Sequence, residues 1–290
     1  MPALPTMLPL STAGPSSPSA RSSVSISSSA YTHTSSARGG FARGGSSSFM
    51  MPYLSQSPPH RSEYFRRIFS VAQMDLEYTF AQMVYLIISP RKAYQFDSYR
   101  KQTKNQWARD DPGFVVVLGF FLVMSGLAYA AAFRLSGVRF LVAMFLPLVY
   151  FLVVGVVMAS ASWFLANKYL RHYYSFHAAE QTVEWMYAFD IHCNGTLLAF
   201  LISLVLQYPF LPLLLPKGYL PAIVCNTING VAVFYYFKLT MQGYNQLPFI
   251  EQAQYLFAPV PVLWLLLVVL SCLGINSTRY LVYSFVGLLA

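Results

Sequence analysis

Charge is what this chain has least of. Only 10% of its 290 residues are charged, while 56% are hydrophobic. A soluble domain carries about 25% charge on roughly 45–50% apolar residues, so polar surface here is too scarce to cover a soluble core. Cysteine is scarce as well. Cys193, Cys225 and Cys272 all fall in apolar stretches and show no CxxC spacing, which excludes a disulfide framework and a thiolate metal motif. They read as small buried hydrophobes, with palmitoylation as the alternative. The chain also lacks a nucleophile elbow, a phosphate-cradling glycine loop and an HExxH metal signature.

The few charges are unevenly placed. Residues 1–112 hold 12 basic and six acidic side chains, a net of +6; the remaining 178 residues hold seven and four, a net of +3. A basic polar front and a long apolar rear mark an integral membrane protein. The front divides in two. Residues 1–60 contain 17 serines, Ala-Arg-Gly-Gly at 37–40 and again at 42–45, and no acidic residue. Such a segment cannot bury enough apolar area to offset its ordering entropy and reads as a disordered tail. Its prolines forbid the amphipathic helix of an organellar transit peptide, and its start lacks the charge and apolar core of a secretory signal. The first hydrophobic span is therefore expected to act as the membrane signal. Two Arg-Gly-Gly units, at Arg38 and Arg43, are few for RNA binding, and RNA is not the favoured partner.

Residues 61–112 form the second part. Phe65, Ile68, Phe69, Ala72, Leu76, Phe80, Met83, Val84 and Ile87 recur at steps of three and four, one face of an amphipathic helix. That helix must stop near Pro90, which steers Ser89 out of helical geometry. A basic stretch with interleaved aromatics follows, including Arg91, Lys92, Tyr99, Arg100, Lys101, Lys104, Trp107 and Arg109. Near a bilayer, Lys and Arg contribute about 1 kcal/mol each against anionic headgroups. The segment reads as a juxtamembrane module contacting an anionic lipid surface or a partner through Tyr99, Arg100, Lys101, Lys104, Trp107 and Arg109. The alternatives are that these charges only fix orientation, or that Arg109 with Asp110 or Asp111 locks the amphipathic helix against the first span.

Residues 113–290 form the transmembrane bundle. Asp110 and Asp111 are expected to cap the first span, with Pro112 in its first turn. Apolar stretches long enough to cross about 30 Å of hydrocarbon run over 114–133, 140–166, 195–215, 219–237 and 256–273, the fourth being interrupted by Asn226, Thr227 and Asn229. Residues 280–290 are apolar but too short to cross. The fold class is all-α integral membrane: about five transmembrane helices, with four to six as the range, preceded by a cytosolic amphipathic helix and a disordered tail. Counting Lys and Arg on alternate sides gives 15 against four, which by the positive-inside rule places the N-terminus in the cytosol. Five spans then leave the C-terminus lumenal. The sequon Asn276-Ser277-Thr278 lies too near the last span for ready use, and Asn194-Gly195-Thr196 should stay bare.

The richest polar cluster is His177, Glu180, Glu184, Asp190 and His192. Glu180 and Glu184 would share a helical face, and Asp190 and His192 sit where the chain enters hydrocarbon, where ionisable groups are costly and often functional. A membrane-embedded enzyme using Glu184, Asp190 and His192 is one reading. The other is that these groups hydrogen-bond a neighbouring loop. No metal or cofactor is implied. Gly155 and Ala159, with Ser162 nearby, form a small-xxx-small pair that favours close helix packing.

One resemblance is specific. Gln73-Met74-Asp75, Gln82-Met83, Tyr85-Leu86, Ser89-Pro90, Tyr99-Arg100-Lys101-Gln102-Thr103-Lys104 and Gln106-Trp107-Ala108-Arg109-Asp110-Asp111-Pro112 closely resemble the Unc-fifty (uncoordinated) family. Further matches are Trp163-Phe164, Asn167-Lys168-Tyr169-Leu170, Val183-Glu184-Trp185, Tyr187-Ala188-Phe189-Asp190, His192, Asn194, Gly243-Tyr244 and Leu247-Pro248-Phe249. The resemblance runs from about residue 62 to 270 and is densest over 73–112. It implies a multi-pass Golgi membrane protein with a cytosolic N-terminus, acting in vesicle traffic without catalytic activity. It further implies roles in delivering selected receptors to the cell surface and in recruiting guanine-nucleotide exchange factors of Arf GTPases.

Overall fold

The computed structural model describes residues 74–104, 106–171 and 181–286, all within one compact unit. The 1–60 tail and the helical positions Phe65, Ile68, Phe69 and Ala72 lie outside the described residues. So do His177 and Glu180 of the polar cluster.

Two helices precede the bundle: α1, Leu76–Ile88, and α2, Pro90–Lys104. The Asp75 carboxylate caps α1 by accepting the Tyr78 N–H at 3.0 Å. Ser89 ends α1 in an extended conformation (φ −149°, ψ 79°). The proline that forces this stop also starts α2, because a first-turn proline loses no helical hydrogen bond.

Five helical segments are long and apolar enough to cross a membrane. The first is α3, Gly113–Ala132, and the second is α4, Gly137–Leu165, which winds on through a π-turn at Ala166–Leu170. The third begins as α5, Trp185–Phe200, and continues irregularly to Leu214. The fourth is α7, Tyr219–Tyr244. The fifth couples a 3₁₀ turn, Ala253–Phe257, to α8, Pro259–Cys272.

Two boundaries differ from the sequence expectation by seven residues or more. The third span starts ten residues before Gly195, so Asp190, His192 and Asn194 lie inside a helix and are buried rather than standing at an entrance. The fourth span runs seven residues past Phe237. Hydropathy discounts both stretches because they carry polar groups; in the third span Arg109 and Tyr236 bond Asp190, Asn194 and His192 and let the helix continue. The third span is also broken, with a π-turn at Leu201–Val205 and a 3₁₀ turn at Tyr208–Phe210 before α6, Leu211–Leu214. Pro209 and Pro212 remove two backbone donors there. Side chains from elsewhere take carbonyls of this region: Tyr129 donates to Leu204 O at 3.0 Å, and Asn276 to Leu214 O at 2.7 Å.

After α8 the chain turns at Gly274, whose φ of +69° suits glycine. A short helix α9, Ser277–Val286, then packs against α3, α4 and α7. Its Val282, Phe285 and Val286 are buried. Its ten described residues rise about 15 Å at 1.5 Å per residue.

Helix approach is closest at two glycines. A Cβ on Gly126 of α3 would lie 2.4 Å from the Met144 carbonyl oxygen of α4, and one on Gly243 of α7 would lie 2.3 Å from Ile191 of α5. The Gly155–Ala159 pair also serves internal packing, since a Cβ on Gly155 would meet the His192 ring at 2.9 Å. The core is continuous from α1 and α2 into the spans: Met83, Leu86, Ala93, Tyr94, Trp107 and Ala108 are buried in the same cluster as Phe114, Tyr187 and Tyr244.

Candidate functional site

Residues 106–112 are not helical, so their backbone N–H groups need partners from outside. Span order puts the starts of α3 and α5 and the ends of α4 and α7 at this same end of the bundle, here called the near end. Carboxylates at and just before the start of α5 meet this backbone. Glu184 receives the N–H of Trp107 at 3.3 Å on one oxygen and that of Ala108 at 3.2 Å on the other. Asp190 receives the N–H of Arg109 at 2.7 Å. The Arg109 guanidinium donates to the Asn194 side-chain oxygen and lies 4.3 Å from the centroid of the Phe114 ring. Hydrogen bonds to a charged group contribute roughly 1.5–3 kcal/mol each, enough to hold a non-helical segment in place at the edge of an apolar bundle.

This geometry corrects two expectations. Glu184 is not on a shared helical face with Glu180: residues 181–184 are non-helical, and Glu184 is the residue preceding α5. Trp107 and Arg109 do not face a headgroup layer, being 6% and 7% exposed. Burial follows from their partners, because Trp107 packs edge-on against Tyr187 at 6.1 Å and the Arg109 charge is engaged inside the bundle. Lys101 is half-buried, with its Nζ 5.8 Å from the Trp107 ring. Tyr99, Arg100 and Lys104 lie on α2; their side chains are outside the described residues. Among the described residues, the exposed cations at the near end include Arg91 and Lys92, which the sequence grouped with the basic stretch without singling them out, and Lys168.

The helix cap of the first span is also reassigned within its pair. Pro112 immediately precedes the helix instead of lying in its first turn. Asp111 does the capping: one oxygen accepts the Gly113 N–H at 3.0 Å, the other the Asp75 N–H at 2.9 Å. A single carboxylate thus ties the start of α1 to the start of α3.

His192 is held rather than presented. Its Nδ1 lies 2.8 Å from the Tyr236 hydroxyl and its Nε2 3.2 Å from Thr196 Oγ1, while its ring stacks on Phe151 at 5.5 Å. It borders an apolar cavity of about 110 Å³ between α4, α5 and α7, lined also by Met158, Ile191 and Phe237. Among the described residues, no group of three or more His, Cys, Asp or Glu side chains is arranged to hold a metal. Cys193 and Cys225 are buried as expected, whereas Cys272 is exposed near the end of α8.

A second polar network, at the far end, went unassembled in sequence. Gln207 donates to Asn229 at 2.9 Å and accepts from Thr278 at 2.6 Å; Asn229 donates to Ser277 at 2.7 Å and to Thr278 at 3.0 Å. Asn226 donates to Ser271 at 3.0 Å and to the Ile275 carbonyl at 2.9 Å, and accepts the Ser277 N–H at 2.9 Å. The Asn residues that interrupt the fourth span are thus what anchors α9. The same packing closes the sequon, since Asn276 and Thr278 are both buried. Asn194 of the other sequon is buried as well. The only visible signal was the presence of amides in an apolar span, which is itself a pointer to helix–helix hydrogen bonding.

Comparison with known proteins bears on both ends. The chain is 40% identical to the protein unc-50 homolog of Dictyostelium discoideum over 259 residues, covering 89% of this chain and 97% of that protein. It is 37% identical to the Homo sapiens homolog over 223 residues, 76% of this chain and 85% of the relative. It is 36% identical to protein unc-50 of Caenorhabditis elegans over 225 residues, 75% and 71% respectively. These names carry no enzymatic function. No solved structure matches. The UNC-50 family profile matches residues 64–286, which takes in α1, α2, all five spans and both polar networks. The chain is a multi-pass membrane protein of the UNC-50 family.

Proposed function

We propose that this protein works in Golgi vesicle traffic, with its near end in the cytosol as a docking face for guanine-nucleotide exchange factors of Arf GTPases and its spans associated with receptor cargo. One observation carries the reading. Five spans put Arg91, Lys92 and Lys101, together with Lys168, Arg171 and Lys238, at the near end, against Arg134, Arg139, Lys217 and Arg279 at the far end. That asymmetry favours a cytosolic near end by the positive-inside rule and concentrates cations where a peripheral protein or anionic headgroups would meet them. Family membership supplies the pathway. The reading has no catalytic step, because Glu184 and Asp190 are spent on backbone N–H groups and His192 on Tyr236.

The test replaces Arg91, Lys92, Arg100, Lys101 and Lys104 with glutamine and leaves the buried Trp107 and Arg109 intact. Exchange-factor recruitment to Golgi membranes is expected to fall while the protein stays inserted there. Proximity labelling from each terminus in intact cells reports sidedness in the same experiment. Unchanged recruitment, or a lumenal N-terminus, overturns the reading.

A further inference from the structure

The amphipathicity of α1 is inside out. Its packed face carries Thr79, Gln82, Met83 and Leu86, all buried. Its outward face carries Leu76, Phe80, Val84, Ile87 and Ile88, with Phe80 46%, Val84 51% and Ile88 75% exposed. A helix resting on a protein in water does the reverse. Large apolar side chains contiguous along one face need an apolar cover, while the amide of Gln82 points to the bundle.

The neighbours identify the cover. The Phe80 ring lies 6.4 Å from that of Phe121, two turns inside the first span. Phe121 in turn lies 6.1 Å from Phe120, an outward residue of α3. The outward face of α1 therefore runs without a break into the surface that α3 presents to hydrocarbon. Length fixes the depth. Thirteen residues rise about 20 Å, short of the ~30 Å needed to cross. Both ends are polar: Asp75 is bound to Asp111 at the start of the first span, and Pro90 leads straight into exposed Arg91 and Lys92. Tyr78 and Tyr85 add the amphipathic rings typical of the membrane interface.

We propose that α1 is a half-depth helix embedded in the near-end leaflet, its outward face covered by lipid acyl chains and the following Arg91 and Lys92 set against anionic headgroups. The helix occupies area in one leaflet and none in the other, so it acts as a wedge that suits curved or loosely packed membrane. The inference rests on the membrane-spanning bundle and not on the trafficking reading, which can fail without it.

The test uses the full chain in liposomes of phosphatidylcholine and phosphatidylserine, spin-labelled at Val84→Cys or Ile88→Cys in a Cys272→Ala background, with Lys92→Cys for comparison. Labels at 84 and 88 are expected to be relaxed by oxygen and shielded from a water-soluble nickel chelate, at a depth of about 5–10 Å below the headgroups. The label at 92 should show the opposite preference. Nickel access at 84 equal to that at 92 overturns the proposal. Shielding from both reagents also overturns it, spin–spin broadening then marking a second copy of the chain on this face.

Discussion

The two ends of this bundle solve the same problem with different chemistry. At the near end, charged groups hold an irregular segment: Glu184 and Asp190 bind the backbone of residues 107–109, and the Arg109 charge rests on Asn194 and Phe114. At the far end, neutral amides and hydroxyls of Gln207, Asn226, Asn229, Ser277 and Thr278 hold the half-length helix α9. The difference teaches where charge is tolerable. Carboxylates lie within two turns of the start of α5 and accept backbone N–H groups there, which offsets their desolvation cost. The network at Asn229 lies nearly three turns into α7, where a charge would be stranded and an amide only needs a partner.

The comparison breaks most visibly if the near-end acid is removed. Asp190→Ala leaves the buried Arg109 N–H without its charged acceptor, a hydrogen bond of about 1.5–3 kcal/mol. The variant is expected to lose its cooperative thermal unfolding transition in detergent; a transition within a few degrees of the wild type would show that Asp190 is not what holds the segment. Charge placed at the far end tests the converse. Asn229→Asp swaps the donor to Ser277 and Thr278 for an anion at depth, at about 2.5–3.5 kcal/mol on the insertion scale. Protease resistance of α9 in the membrane-inserted protein should fall sharply.

Neutral truncation at the far end should cost less. Asn226→Ala removes bonds to Ser271, Ile275 and Ser277 and leaves their partners unsatisfied, for about 1–3 kcal/mol; denaturant midpoints in detergent would register it. The smallest effect belongs to the exposed near-end cations. Arg91→Gln with Lys92→Gln is expected to stay within about 0.5 kcal/mol of the wild type, while binding to vesicles containing phosphatidylserine weakens. A large stability loss there would mean that α2 depends on these charges for folding.

Much of the fold was legible because the solvent changes along the chain. The first span was expected at 114–133 and lies at Gly113–Ala132; the fifth was expected at 256–273 and ends at Cys272. Uninterrupted apolar runs need only length to declare themselves. Pro90 likewise announced the end of α1 through a local clash. The third span was misjudged at its start because Asp190, His192 and Asn194 argue locally against hydrocarbon; Arg109 and Tyr236, from other parts of the fold, make them admissible. Trp107 and Arg109 were misjudged for the same reason in reverse. A Trp and an Arg beside a membrane resemble interfacial anchors, and nothing local distinguishes an anchor from a residue buried by a helix that follows some 80 positions later.

What the sequence by itself determined is the helix before Pro90, about five apolar spans and the family, since each depends on local apolar length or on residue identity. Only the tertiary structure decided which polar groups meet, that α1 turns its apolar face outward, and that α9 packs against α3, α4 and α7. Those outcomes depend on which donors and acceptors pair across about 20 to 150 residues of chain, and buried polar groups are satisfied by partners, not by position.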